Sequence, residues 1–368
     1  MQESGFWIQF LREVTLNHKV LIKDLKFAMG KVARVVNPEF IRLTYFSFKN
    51  IIESLENISK KLYQMLKESC ESCKSNTIAL SGGLDSTIIA YFLKERKPNT
   101  VAIIAKDFVA NDLTYCQRVS KEFDMPLTIN HVSTANILNA IEETIKILKN
   151  FNDIEIRNNI VMYLAIKWAR EQNSLGIITG DGADELFGGY SFLVNKPKDE
   201  LEKEIQRVCS VMHFPTQKIG KALGIDVESP FLDEKIIEFS KTIPSNLKVR
   251  NEGGKKYGKW ILRKTFEKNI PTQIVWREKS PMQEGSGTAG LTNLFDSVIN
   301  DQLFLEKKKK TEESDGVIIR TKESMHYYEI YRNLYGAPAK KQGISFCPYC
   351  NFNVENSKFC RMCGAFPI

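Results

Sequence analysis

The chain has 368 residues, 43% hydrophobic and 26% charged, with a formal net charge of +8, which predicts two or three folded units with a sizeable core. No apolar run reaches the ~20 residues of a membrane helix and the first ten residues lack the pattern of a secretory leader, so a cytoplasmic enzyme without a membrane partner is the default expectation. The basic excess admits polyanions such as nucleotides or RNA, but much of it is surface lysine, including the run 307–310.

Residues 1–67 carry no recognisable chemical motif. Within them, 40–48 (FIRLTYFSF) partly alternates and predicts a strand. Residues 51–68 place Ile51, Ile52, Leu55, Ile58, Leu62, Met65 and Leu66 at helical spacing, predicting an amphipathic helix that ends before Cys70. From Asn76 the pattern alternates. Strands are predicted at 77–80, 101–105, 127–132 and 176–179. Helices are predicted at 87–96, 112–123 with Asp112 as N-cap, 134–149 and 156–171. This alternation is the signature of an α/β fold with a parallel sheet flanked by helices. After Tyr190 the pattern is mostly helical, with helices predicted at 201–212, 235–241, 256–266 and 321–334. Residues 68–336 are read as the main domain, 337–345 as a linker and 346–368 as a small cysteine-bearing module.

Between the first predicted strand and helix lies Ser81-Gly82-Gly83-Leu84-Asp85-Ser86. Glycines let a backbone approach an anion closely, successive N–H groups form a nest, and the following helix adds its positive end. Ser81 and Ser86 can donate hydroxyls. Asp85 repels bare phosphate, so its expected role is to hold Mg2+ that bridges phosphate oxygens. The bland alternative is an ordinary strand-to-helix turn; GxxxxGK[ST] is absent, so this is not a Walker A loop. A second loop, Gly180-Asp181-Gly182-Ala183-Asp184-Glu185, follows the fourth predicted strand. Its three carboxylates suit a metal–pyrophosphate site or proton acceptance, against the alternative of a solvated acidic turn.

The first motif resembles the SGGxDS hallmark of the PP-loop ATP pyrophosphatases. The run from Ile177 to Tyr190 resembles the asparagine synthetase branch of that superfamily. The resemblance extends over roughly 50–336, through Ser229-Pro230-Phe231-Leu232-Asp233, Lys259 to Lys264, Trp276-Arg277-Glu278-Lys279 and the closing helix. It implies a five-stranded parallel sheet flanked by helices and cleavage of ATP between its α- and β-phosphates. It further implies an acyl-adenylate on a small-molecule carboxylate, attacked by ammonia or an amine to give an amide. Carried over residue by residue, Leu80, Ser81, Gly82, Gly83, Asp85, Ser86 and Gly180 bind ATP, and Asp85 and Asp184 coordinate Mg2+. Asp181 stands where the family commonly has Glu for handling ammonia, and Lys279 stabilises charge on the α-phosphate. Two departures bear on substrate. Residue 2 is Gln2 rather than a catalytic cysteine and the leading residues are too few for a glutaminase domain, so free ammonia, a partner's product or a substrate amine is expected. The run Glu284-Gly285-Ser286-Gly287-Thr288 is similar to the β-lactam synthetase branch, whose nucleophile is an amine of the same molecule.

Of eight cysteines, Cys347, Cys350, Cys360 and Cys363 form two CxxC pairs. They predict a structural Zn2+ ribbon in which metal supplies the stability that so small a segment lacks; disulfides or a redox pair are the alternatives. Such ribbons suggest an RNA or protein partner. That gives the competing function, a tRNA- or protein-modifying pyrophosphatase whose ribbon docks the macromolecule. Cys70 and Cys73 invite a sulfur-transfer reading or a second metal site with Cys116 or Cys209, weighed against two ordinary thiols at a helix end.

Overall fold

The structure, a computed structural model, describes residues 38–339, 345–354 and 357–368; the expectations for 1–37 and for the central part of the linker lie outside the described residues. In chain order the first elements are α1 (Pro38–Ser72), β1 (Thr77–Ala79), α2 (Leu84–Leu93), β2 (Asn99–Ala105), α3 (Leu113–Glu122), β3 (Leu127–Val132), α4 (Thr134–Leu148), α5 (Asp153–Glu171) and β4 (Gly176–Ile178). There follow α6 (Ala183–Phe187), α7 (Lys198–Ser210), α8 (Pro215–Leu223), β5 (Asp226–Glu228), α9 (Glu234–Thr242), β6 (Arg250–Glu252), β7 (Lys255–Tyr257) and α10 (Trp260–Phe266). The last are α11 (Met282–Ser286), α12 (Gly290–Val298), α13 (Asp301–Asp315) and α14 (Lys322–Tyr335). The chain forms two compact units. One takes the described part of Met1–Ser69 with Gly182–Met212 and Phe231–Glu278; the other takes Cys70–Asp181, His213–Pro230 and Lys279–Ile368.

The second unit is the α/β body. Its five strands lie in the order β3-β2-β1-β4-β5, every pair parallel. Val101 to Ala105 are buried throughout, as a strand covered on both faces requires. From β1 the chain winds outward to β2 and β3, then crosses back to lay β4 on the other side of β1. The order therefore reverses between β1 and β4, and ligands of open α/β sheets bind outside the carboxyl ends of strands at such a switch point. An apolar core gathers Ile141 and Ile145 of α4, Ile160 and Ile166 of α5, and Tyr328 of α14. Phe151 meets Tyr328 edge-on at 4.9 Å, a favoured aromatic geometry.

The first unit carries a separate small core of Leu193, Leu201, Ile205 and Val249 and the antiparallel hairpin β6–β7. Gly253 and Gly254 turn that hairpin at φ 62° and 86°, the left-handed pair a two-residue loop needs.

Several expectations change. Residues 40–48 are helical, not extended: α1 starts at Pro38, where the missing proline N–H costs nothing, and continues past Cys70 to Ser72 rather than stopping before it. The predicted helix 256–266 is the end of the hairpin followed by α10, because Lys256 and Tyr257 pair with β6 and Lys259 at φ 54° separates them from the helix. Asp112 occupies the N-cap position of α3 without a side-chain cap bond. Sequence patterning missed β5, only three residues long and half exposed, and α8.

Candidate active site

The loop after β1 owes its shape to its backbone. Leu80 N donates to Val101 O at 2.9 Å, continuing the ladder. Gly82 then turns at φ 64°, and α2 begins at Leu84 with Gly83 as its N-cap. A Cβ on Gly82 would lie 2.5 Å from Tyr115 Cβ and 2.7 Å from Cys116 N, so α3 packs directly beneath the turn and only glycine fits. Within the turn Ser81 Oγ and Ser86 Oγ lie 3.1 Å apart, Gly83 N donates to Ser81 Oγ at 3.3 Å, and Thr87 Oγ1 donates to Gly83 O at 2.6 Å. Cys116, fully buried, donates its thiol to Leu80 O at 3.2 Å from behind. The result is a rigid, amide-rich bend at a helix N-terminus, the form of an anion cradle.

The loop after β4 meets this bend. A Cβ on Gly180 would lie 2.9 Å from Asp85 Cβ and 3.5 Å from Ser86 N. The two loops flanking the switch point thus pack backbone against side chain, bringing Gly180 together with Asp85 and Ser86. Next to Gly180, the Asp181 carboxylate accepts hydrogen bonds from Thr179 Oγ1 at 3.0 Å and Thr216 Oγ1 at 2.5 Å. Ser229 Oγ lies 2.9 Å from Thr179 Oγ1. Threonines from β4's end and from α8 therefore orient Asp181, a support that sequence motifs gave no sign of.

The chain passes into the first unit between Asp181 and Gly182. There Asp184, on α6, pairs with Lys259 Nζ at 2.6 Å, and Lys259 is itself only 4% exposed. Gly189 is obligatory beside them, since a Cβ would fall 1.9 Å from Asp184 Oδ1 and 2.1 Å from Lys259 Cε. The neighbouring Glu185 accepts from Tyr190 Oη at 2.5 Å. Lys259 is a residue the motif reading quoted without assigning; its left-handed backbone and burial appear only in three dimensions.

Lys279, exposed, opens the last segment of the second unit. The loop it leads is fixed at its far end. Asp112 N donates to Gly285 O at 3.0 Å, and a Cβ on Gly285 would strike the Asp112 carboxylate at 2.1 Å. Asp112 thus braces this loop where the sequence suggested a helix cap.

In the same unit the Sγ atoms of Cys347, Cys350, Cys360 and Cys363 all lie within 4.8 Å of one another, and all four residues are buried. Cys347 to Cys363 is 3.8 Å and Cys350 to Cys360 is 3.5 Å, close to the ~3.8 Å edge of a tetrahedron with Zn–S bonds of about 2.3 Å. The thiols therefore fit a Zn2+ ion, which would be closed to substrate. Contact with Cys360 and burial push the Cys350 thiol up, while contact with Cys350 pulls Cys360 down; a bound cation removes that conflict by ionising all four.

Cys70 and Cys73 belong to a different environment. Burial pushes both thiols up, Cys73 to about 12 with help from the Glu228 charge. Few thiolates exist there at neutral pH, which favours two ordinary thiols over a nucleophile.

Comparison with known proteins accords with these features. A family model described as Asparagine synthase matches residues 57–207 and 195–346. Similar proteins include a probable glutamine-hydrolyzing asparagine synthetase of Dictyostelium discoideum, 26% identical over 70% of this chain and 51% of that protein. Another is asparagine synthetase B of Escherichia coli (strain K12), glutamine-hydrolyzing, 25% identical over 82% of this chain and 57% of that protein. The chain spans about half the length of the curated relatives it matches. Among solved structures, an NH3-dependent NAD synthetase from Campylobacter jejuni covers 64% of this chain and 96% of its own at 15% identity and a TM-score of 0.27. Among the described residues no helix is long and apolar enough to cross a membrane. With its strand–turn–helix cradle, its switch-point packing and a family match over well more than half its length, this chain belongs to the Asparagine synthase family.

Proposed function

We propose that this chain is an ATP-dependent, amide-forming ligase that activates a small-molecule carboxylate as an acyl-adenylate and transfers the acyl group to ammonia or an amine. The observation that carries the reading is the packing of Gly180 against Asp85 and Ser86 where the strand order reverses. That packing supports a nucleotide site there, because open α/β sheets bind nucleotides outside the strand ends at the switch point.

In this reading Leu80 to Ser86 hold the β- and γ-phosphates through backbone amides and the Ser81 and Ser86 hydroxyls, and the adenosine lies along Gly180. The family resemblance assigns Asp85 and Asp184 to Mg2+, whose charge would offset that of the phosphates; within the first unit Asp184 is already paired with Lys259. The substrate carboxylate oxygen attacks the α-phosphorus, the α–β bond breaks and pyrophosphate departs. Lys279 supplies the ammonium that stabilises the crowded phosphoryl oxygens. The amine then attacks the acyl carbon, AMP leaves, and the surplus proton passes to a carboxylate of the Asp181 loop. Two threonine donors hold Asp181 in one orientation, which suits reception of a cationic or protonating nitrogen. Cys347, Cys350, Cys360 and Cys363 would hold structural Zn2+.

Aspartate with ammonia is the leading substrate pair, and the Glu284–Thr288 run favours an amine carried on the substrate as its rival. The test is ATP–pyrophosphate exchange over a panel of amino acids and related carboxylates, followed by amine-dependent amide formation. Exchange that depends on a small carboxylate is expected. Exchange that requires added RNA or a protein acceptor, with none for any small carboxylate, would sink this reading in favour of the macromolecule-modifying one.

A further inference from the structure

The cysteine knuckle is bonded into the second unit at two places, and both lead to the loop that follows Lys279. The first runs through α5. Phe151 N donates to Met362 O at 2.9 Å. Gly364 sits so close to Asn152, the N-cap of α5, that a Cβ there would lie 2.6 Å from Asn152 Oδ1. A turn further along α5, Arg157 O accepts from Thr288 Oγ1 at 3.2 Å and Arg157 NH1 donates to Thr292 Oγ1 at 2.7 Å. The second runs through α14. Ile318 N donates to Tyr349 O at 2.7 Å and Arg320 NH2 to Cys363 O at 2.7 Å. Thr321 then caps α14 with a capping box and places Glu323, 1% exposed, in its first turn. Glu323 accepts from Thr292 Oγ1 at 2.7 Å and Tyr327 Oη at 2.8 Å, and lies 3.3 Å from Arg157 Nε. Both routes therefore end on one buried polar cluster around Thr288, itself 1% exposed.

We propose that the metal-loaded cysteine knuckle is a positioning element of the ligase, holding Arg157 and Glu323 in register so that they fix the far end of the loop that begins with Lys279. The catalytic consequence rests on the ligase reading of Lys279; the mechanical link does not. So small a knuckle cannot hold its shape without the cation. Without it, Met362 O and Cys363 O lose their places, and a buried ion pair that is favourable only in good geometry is left imperfect. A displacement on the order of 1 Å at the loop is enough to cost roughly a hundredfold in rate. On this account the module serves the reaction from within the core, without needing a macromolecular partner.

The test uses the full chain with Arg320→Ala, which keeps all four thiols and deletes one strut, beside protein depleted of zinc by a chelator and then reloaded. Zinc content, amide hydrogen exchange across 286–292, kcat for pyrophosphate release and KM for ATP are read together. The expected result is retained zinc in Arg320→Ala, faster exchange at 286–292, and kcat down by about tenfold with KM for ATP unchanged. Arg320→Lys should recover part of the loss, and reloading zinc should restore protection in the depleted protein. If depletion unfolds the chain, Arg320→Ala decides alone. Unchanged exchange at 286–292 in Arg320→Ala would overturn the proposal. Absence of carboxylate-dependent pyrophosphate release in the wild type would instead refute the ligase reading, and full activity in Lys279→Ala the role of Lys279, while the exchange result still judges the link.

Discussion

The phosphate turn and the cysteine knuckle are both tight bends in the same unit, and they are held by opposite means. Ser81 to Ser86 is shaped by main chain: Gly82 at φ 64° with Tyr115 and Cys116 beneath it, a strand ladder on one side and a helix on the other. The knuckle is shaped by side chains, four sulfurs within 4.8 Å around a point that wants a cation. A backbone-built site tolerates loss of a polar side chain and fails when a Cβ is added. A ligand-built site tolerates backbone change and fails when a ligand or its metal is removed.

The largest effect that would break or sharpen this contrast is at Gly82. Gly82→Ala puts a methyl 2.5 Å from Tyr115 Cβ in a left-handed conformation, an expected loss of ~3 kcal/mol or more with loss of nucleotide binding; isothermal titration with ATP and thermal unfolding check it. By contrast Ser81→Ala should keep the fold and weaken ATP binding by about tenfold or somewhat more, since one hydrogen bond to a charged group is worth about 1.5–3 kcal/mol. Next comes metal removal. Chelation should lower the unfolding midpoint and expose the thiols of Cys347, Cys350, Cys360 and Cys363 to alkylation, read by mass spectrometry. Unchanged stability after complete zinc loss would show that the core holds the knuckle by packing alone.

A smaller effect lies at α13 and α14. Hydrogen bonding from Arg332 and then Tyr328 holds the Asp315 carboxyl below its usual range. A depressed folded value means the stabilisation is present above the unfolded value of about 3.9 and is lost as pH falls below it, through the folded value. Asp315→Asn should therefore lower the unfolding midpoint modestly at neutral pH and blunt its fall in acid. Smallest of all, Cys73→Ser should leave pyrophosphate release unchanged, because its thiol is pushed up to about 12 and has little nucleophilic form; a large loss would revive the sulfur-transfer reading.

Much of the α/β body was legible, because β1, β2 and β4 are short apolar runs and β3 begins with an alternation, each separated by helical segments. β5 was not, since Asp226, Val227 and Glu228 look like loop until Gly176 and Ile178 pair with them. Residues 40–48 misled because aromatic and β-branched residues alternate there although the backbone stays helical. At the candidate site the glycines and carboxylates could be read directly. Their supports could not: Thr216 reaches Asp181 and Lys259 reaches Asp184 only through the fold, and no local pattern encodes such distant partners.

The most direct measurement is the fate of ATP followed by phosphorus NMR, with the wild-type chain and Asp85→Ala, in the presence of the carboxylate that supports exchange. AMP and pyrophosphate are expected in equal amounts from the wild type and neither from Asp85→Ala. Formation of ADP and orthophosphate, or undiminished pyrophosphate from Asp85→Ala, would contradict the proposed mechanism.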